Sequence, residues 1–314
     1  MYTILGAGGS VSDELVKVLA ARMLPIRTVS RHGGGMAGAA EVRLADLTSR
    51  EQTREAVEGS DVVFLLAGLR YDHKLWAEQW PRILDNAVDA CKHARAKLIF
   101  FDNVYMYGKV NGPMTEETPY GPTSKKGETR ALIATRVERA WKEGELTAMI
   151  ARAADFYGPG AKNGIPNVMV FEPLNQGKKP MCLISDALPH SYTYVPDAAQ
   201  ALATLAESPT AWNQTWHLPT AAQPLTGREF IVAAAEAMGK APKYRVLSRT
   251  MVKLAGIINP TIRQVYEMLY QNESPYMFDS SKYARAFGFA GTPYMEGIAS
   301  TARSYRSNPA GISE

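Results

Sequence analysis

An α/β fold built on a doubly wound parallel sheet, with a smaller C-terminal α/β substrate lobe, follows from three features of the sequence. Apolar runs alternate with helical-period segments up to about residue 155. Several of those runs are apolar nearly throughout, the pattern of strands covered on both faces. The first of them enters a glycine-rich turn that opens a helix.

The elements can be justified in order. Residues 2–5 form a first strand that runs into Gly6-Ala7-Gly8-Gly9. Val11, Leu15, Val18 and Leu19 then recur at helical spacing as far as Arg22. Strands follow at 26–30 and 42–44, a helix at 49–57, and a nearly all-apolar strand at 62–67. Next come a long helix over 75–94, a strand over 97–101, a second long helix over 123–143 and a sixth strand over 147–151. This alternation calls for right-handed crossovers and parallel pairing. Beyond Tyr157-Gly158-Pro159-Gly160 the chain turns to loops rich in Pro, Gly and Asn, with short strands at 180–184 and 215–218 placed in a second lobe. The expected division is a first domain over 1–160, a substrate lobe over 161–306 and a small polar tail over 307–314.

Composition excludes several classes. With 314 residues, 46% hydrophobic and 21% charged, the chain can bury an ample core and is neither disordered nor fibrous. The net charge of +4 arises from 35 basic and 31 acidic residues without a basic block, which argues against a nucleic-acid partner. No stretch approaches the roughly 18 apolar residues of a membrane span, so no membrane partner is expected. Cys91 and Cys182 form no CxxC pair and read as free thiols in a reducing cytoplasm. His32, His73, His93, His190 and His217 have no metal-ligand spacing, and no metal is expected.

The glycine turn carries the first chemical reading. Backbone N–H groups and a helix N-terminus meet there, and glycines let a pyrophosphate approach the backbone closely. The spacing is Gly6-x-x-Gly9-x-x-Ser12; the strict GxGxxG form fails at Val11. A dinucleotide site in the Rossmann manner is expected at this turn, against the plainer alternative of a turn that packs helix on strand. The second strand ends in Ser30-Arg31-His32, without the acidic residue that usually meets the NAD ribose. Arg31 offers a fork for a phosphate, which favours NADP over NAD, unless it is simply a solvated charge. Asp46 is a candidate acceptor for the adenine amino group, or a helix-capping residue near Thr48.

Six segments in fixed order resemble the extended short-chain dehydrogenase/reductase family, which includes nucleotide-sugar epimerases and dehydratases. They are Gly6-Ala7-Gly8-Gly9, Phe64-Leu65-Leu66-Ala67-Gly68, Tyr107-Gly108, Arg152-Ala153-Ala154-Asp155-Phe156-Tyr157-Gly158-Pro159-Gly160, Tyr192-Thr193-Tyr194-Val195-Pro196-Asp197, and Asp279-Ser280-Ser281-Lys282 with Phe287-Gly288-Phe289. The resemblance implies that the first domain holds the dinucleotide. Its contacts would come from Gly6, Gly8, Gly9, Ser10, Ser30, Arg31, Asp46, Leu47, Leu66, Ala67, Gly68 and Phe156. It also implies a homodimer paired through the two long helices, and a small-molecule substrate.

The family's catalytic Ser/Thr, Tyr and Lys are all replaced. Asn103 stands at the Ser/Thr place, Lys126 where the tyrosine would be, and Arg130 where the lysine would be. A tyrosine, ordinarily titrating at about 10, works near neutral pH when a neighbouring cation favours its phenolate. Lys126 could act as a base only if Arg130 and burial made its ammonium less stable; the alternative is that Lys125, Lys126 and Arg130 line an exposed basic face answering Glu128. Tyr105 is the expected acid/base group, with an aromatic packing beside Tyr107 as its alternative. His190-Ser191 replaces the Arg-Asp pair that meets a sugar-nucleotide diphosphate, which argues against that substrate class unless Lys178 or Lys179 supplies the charge. The reading is an NAD(P)-dependent oxidoreductase or epimerase acting on a carbonyl or alcohol carbon; its rival is an NADP-binding sensor without turnover.

Overall fold

The structure, a computed structural model, describes residues 1–33 and 38–307. The chain forms two compact units that interleave: one comprises 1–108, 116–153 and 198–218, the other 109–115, 154–197 and the residues from 219 onward. A single boundary at residue 160 therefore gives way to a chain that leaves the first unit and returns to it. From residue 308, the tail read at 307–314 lies outside the described residues.

The first unit is a parallel sheet of seven strands: β1 (Tyr2–Leu5), β2 (Ile26–Ser30), β3 (Glu41–Leu44), β4 (Val62–Leu65), β5 (Lys97–Asp102), β6 (Ala148–Arg152) and β7 (Thr215–His217). Their order is β7-β6-β5-β4-β1-β2-β3. The segment at 215–218, placed in the second lobe from sequence, instead pairs with β6 as Thr215↔Ile150, Trp216↔Ala151 and His217↔Arg152. The order reverses between β1 and β4, and ligands of such sheets bind beyond the carboxyl ends of the strands at that switch point.

Helices α1 (Ser10–Ala21), α2 (Arg50–Val57), α3 (His73–Ala94) and α4 (Lys125–Lys142) follow β1, β3, β4 and β5, and a further helix, Val195–Glu207, precedes β7. Side-chain caps set three of their starts. Ser49 Oγ accepts from Gln52 N, Asp72 accepts from Lys74 N and Leu75 N, and Ser124 Oγ accepts from Gly127 N. The Asp72 cap starts α3 two residues before the first apolar position that sequence periodicity detects. At the other end of α2, Arg27 from β2 reaches the carbonyls of Ala56 and Glu58, at 3.1 and 2.7 Å, where a helix C-terminus lacks donors. The core lies between sheet and helices, with Leu65, Trp80, Leu84, Phe100, Ile133 and Ile150 buried together.

The second unit has two short parallel pairs, Asp155–Tyr157 with Tyr192–Tyr194 and Met181–Leu183 with Arg245–Leu247. Its core gathers Tyr157, Phe171, Phe230, Tyr294 and Ile298. The helix Gly227–Ala237 begins in a reciprocal cap between Thr226 and Glu229. Among the described residues, no helix is long and apolar enough to cross a membrane.

Gly6 is where the turn after β1 has no steric freedom. Its φ is +94°, and a Cβ there would lie 2.4 Å from Ala67 Cα and 2.5 Å from Ala67 N. Gly8 also has a positive φ, +98°, but a Cβ would meet nothing within 4 Å. Gly6→Ala should therefore combine backbone strain with overpacking and lose roughly 2–5 kcal/mol, whereas Gly8→Ala should lose only about 1–2 kcal/mol. Urea unfolding of the two variants, without any ligand, checks this ordering; equal losses would refute the close approach of the turn to the end of β4.

Candidate active site at the carboxyl ends of the strands

The turn after β1 is braced from within. Ser12 Oγ accepts from Gly8 N at 3.1 Å and Gly9 N at 2.9 Å, and donates to Gly9 O at 2.7 Å. Ser12 thus fixes the turn by hydrogen bonding, and at 1% exposure it is buried beneath it. The outer rim of the turn, Gly8 and Gly9, is exposed and opens onto the first turn of α1, whose leading N–H groups have no carbonyl within the helix. An open cradle of glycine backbone at a twelve-residue helix's N-terminus fits a pyrophosphate.

The other expected dinucleotide contacts fall in different places. Leu66 and Ala67 pass directly against Gly6, and Gly68 is exposed just beyond. Ser30 is half-buried at the end of β2, and Arg31 is exposed beside it. Asp46 is exposed, but its Oδ1 already accepts from Thr48 N and Thr48 Oγ1 at 2.9 and 2.8 Å. These bonds hold its carboxyl below the usual range. The Leu47 side chain is buried in the core, and its carbonyl accepts from Asn86 Nδ2 at 2.9 Å. Phe156 belongs to the second unit, on the strand Asp155–Tyr157.

The candidate catalytic residues converge within the first unit. Asn103 follows β5 directly, and its Oδ1 accepts from Tyr105 N at 3.0 Å, fixing the helical turn Tyr105–Tyr107. Asn103 therefore positions Tyr105 through the backbone. The Tyr105 ring stacks on Trp76, with centroids 6.2 Å apart and planes 14° from parallel, and its hydroxyl accepts from Tyr71 Oη at 3.3 Å. Lys126 and Arg130 lie one turn apart on α4, and neither is on an exposed basic face. Lys126 is fully buried, with Nζ 4.2 Å from the Tyr71 ring centre. The Arg130 guanidinium sits 4.1 Å from the Trp80 ring centre and 4.9 Å from that of Trp76. Lys125 answers Glu128, at 2.9 Å on the surface. Tyr71, on the loop between β4 and α3, was not expected; its signal was the aromatic series Tyr71, Trp76, Trp80 running into α3.

Beneath this group lies a buried ionic network also missed from sequence. Asp102 and Arg152 end β5 and β6 in register. Arg130 Nη1 reaches Asp102 Oδ1 at 3.2 Å, and Arg152 Nε lies 3.7 Å from Asp102 Oδ2. Burial pushes the Asp102 carboxyl up, against the pull of Arg130 and Arg152. Arg152 Nη1 donates to Tyr107 Oη at 2.7 Å, and that oxygen lies 2.8 Å from His217 Nε2 on β7. Tyr107 therefore accepts from the arginine and has its own proton for the imidazole. Burial pushes this phenol up to about 12, so it stays neutral. On its far side, Arg152 bonds Tyr120, whose hydroxyl donates to Glu138.

In the second unit, His190 is buried. It is stacked between Tyr192 and Tyr276, with centroids at 4.6 and 4.1 Å, and its Nε2 is 2.9 Å from Asp155 Oδ2. The expected substitutes Lys178 and Lys179 are exposed. Cys182 is half-buried, and burial pushes its thiol up to about 11, away from thiolate chemistry.

A profile described as the NAD dependent epimerase/dehydratase family matches residues 2–217. A 3beta-hydroxysteroid-dehydrogenase/decarboxylase isoform 2 of Arabidopsis thaliana is 25% identical over 311 residues, covering 85% of this chain and 52% of its own length. An uncharacterized UDP-glucose epimerase of Bacillus subtilis (strain 168) is 23% identical over 171 residues, covering 51% of this chain and 53% of its own. The chain spans about half the length of these curated relatives. The UDP-glucose 4-epimerase of Thermus thermophilus, solved with NAD, superposes with a TM-score of 0.77 at 19% identity, covering 100% of both chains. The dTDP-glucose 4,6-dehydratase of Streptomyces venezuelae, also with NAD, gives 0.79 at 17% identity, covering 98% of each. At these identities the solved structures speak for the fold.

The network makes a prediction about stability. Asp102→Ala leaves two guanidiniums buried without their carboxylate and should cost about 3–5 kcal/mol. Arg130→Met refills the Trp76/Trp80 cage with an apolar chain and leaves Asp102 beside Arg152, so it should cost clearly less. Urea unfolding of both variants measures the difference; a cheaper Asp102→Ala would show that Asp102 is not the centre of the network.

Proposed function

The chain belongs to the NAD-dependent epimerase/dehydratase family, and we propose that it is a nicotinamide-dinucleotide-dependent oxidoreductase or epimerase acting on a carbonyl or alcohol carbon without the usual Ser-Tyr-Lys triad. The observation that carries this reading is the meeting of two phenols, Tyr105 and Tyr71, with two buried cations, Lys126 and Arg130. The dinucleotide would lie on the turn Gly6–Ser10, with its adenosine end toward Ser30, Arg31 and Asp46. When bound, its nicotinamide supplies or accepts hydride.

The chain's own part is the proton. Tyr105 is held by the Asn103 cap and by stacking on Trp76. Its charge couples to that of Arg130, and a cation at that place favours the phenolate form. Tyr71 donates to the Tyr105 hydroxyl at 3.3 Å, so a phenolate formed there would be stabilised by a hydrogen bond. Lys126, over the face of Tyr71, adds positive charge to the same group. The substrate is read as one without a diphosphate: His190, enclosed by two tyrosines and tied to Asp155, has no fork for two phosphate oxygens.

Two experiments test the reading. Reduced and oxidised cofactor followed by near-ultraviolet absorbance with ketones, aldehydes, alcohols and sugar nucleotides should find turnover outside the sugar nucleotides. Tyr105→Phe should then lose roughly a hundredfold to ten-thousandfold in rate with its unfolding unchanged. Near-normal turnover by this variant would end the assignment, and turnover of none of the panel would favour a sensor that binds cofactor only. For the cofactor, an exposed Arg31 and no acid at the end of β2 support NADP over NAD. Calorimetry should give roughly tenfold to hundredfold tighter NADP binding, lost in Arg31→Ala. Equal affinities in the native protein would leave NAD as the cofactor.

A further inference from the structure

The second unit carries an apolar helix face that its own core does not cover. The helix Arg249–Ile258 seats Val252 and Gly256 inward, with Val252 packed among Leu183 and Leu269. Its neighbour Pro260–Tyr266 folds back on it through a turn in which Asn259 Oδ1 accepts from Thr261 N and Ile262 N. The helices approach so closely that a Cβ on Gly256 would lie 3.0 Å from Arg263 Cα. The outer face presents Met251 at 48%, Leu254 at 59%, Ile257 at 73% and Ile258 at 89% exposure. At helical spacing these four share one side, opposite the buried stripe.

Charge decides what this face fits. From Ala237 to Tyr266 the sequence contains no Asp or Glu but six cations: Lys240, Lys243, Arg245, Arg249, Lys253 and Arg263. All six are exposed. Among the described residues, Arg249 alone of the six bridges a carboxylate, Glu273, at 2.9 Å, and it also lies over the Tyr266 ring. Around the helix, Lys253 borders the apolar stripe next to Ile257, and Arg249 lies farther round toward the buried side, so neither interrupts it. Aliphatic side chains facing outward with cations along their edge are the signature of a helix lying in the plane of an anionic bilayer. A protein interface would favour aromatic anchors at its centre, and this stripe has none.

We propose that the hairpin 249–266 is a peripheral docking surface for an anionic phospholipid membrane. Met251, Leu254, Ile257 and Ile258 enter the headgroup boundary, and the cations around them meet lipid phosphates and carboxylates. This proposal departs from the expectation of no membrane partner, which rested on the lack of a spanning stretch: a ten-residue helix can lie on the surface without crossing.

Flotation of the full-length protein with phosphatidylcholine vesicles, with and without phosphatidylserine, tests the proposal. The protein should float with the phosphatidylserine vesicles, far less with phosphatidylcholine alone, and less again as salt is raised. Leu254→Ser with Ile258→Ser should abolish flotation. Arg245→Gln with Lys253→Gln, which removes two cations without touching the core, should weaken partitioning roughly thirtyfold. All these side chains are exposed, so circular dichroism melts should match the native protein. No flotation with anionic vesicles, or unchanged flotation of the Leu254/Ile258 variant, would overturn the proposal. So would a native dimer that this variant converts to monomer, since the face would then be covered by a second copy.

Discussion

One carboxylate joins the main elements of the first unit at its functional edge. Asp102 closes β5, faces Arg152 across the ladder to β6, and receives Arg130 from α4. Burying three charges together gains little net free energy, because desolvation offsets most of the attraction. What it does gain is placement. Arg130 can meet Asp102 only if α4 lies at one height over the sheet, and Lys126, one turn earlier on the same helix, is then delivered to Tyr71. The cage of Trp76, Trp80 and Phe100 around Arg130 closes the other side, so α3 is tied into the same arrangement. Arg152 carries the connection outward through Tyr107 to His217 on β7, the strand that brings the chain back to its first unit.

The glycine turn obeys a separate constraint. Gly6 is fixed by the chain's own backbone at the end of β4, whereas Gly8 and Gly9 touch little and are shaped by φ and by Ser12. One glycine is thus required for folding, and the two outer ones leave room above the helix N-terminus. Because Ser12 satisfies two of the turn's donors, the shape of the turn does not depend on an anion to hold it. The site is pre-formed, and any anion it receives meets the leading N–H groups of α1.

The strands were readable because β1, β4, β5 and β6 are nearly continuous apolar runs, and their order follows from alternation with helices. β7 was not: three residues in a loop-rich stretch do not reveal that the chain has returned to the first sheet. The glycine turn and Tyr105 could be located from local order, but the burial of Lys126 and Arg130 could not. On a helix considered alone, cations beside Glu128 look solvated, and only Trp76, Trp80 and Asp102, brought from distant segments, enclose them. The enclosure of His190 is not legible in the sequence for the same reason, its two covering rings coming from Tyr192 and, much later in the chain, Tyr276.

That burial bears on the choice between an enzyme and a sensor. A lysine enclosed to 0% exposure in a helix with solvent available along its other side works against folding unless its charge is matched by nearby groups. A protein that only held a dinucleotide would need the glycine turn and the end of β2, both remote from α4 in sequence, and would not need a cation at Lys126. Here the costly position is occupied, and the ammonium is directed at a tyrosine whose hydroxyl reaches a second one. On the alignment expected from sequence, Lys126 and Arg130 stand at the family's tyrosine and lysine places on α4, and a phenol and a cation are adjacent there, with the phenols supplied by the loops after β4 and β5. On the proposed reading, a relocated acid/base pair gives the burial of Lys126 beside Tyr71 a role that cofactor binding alone would not.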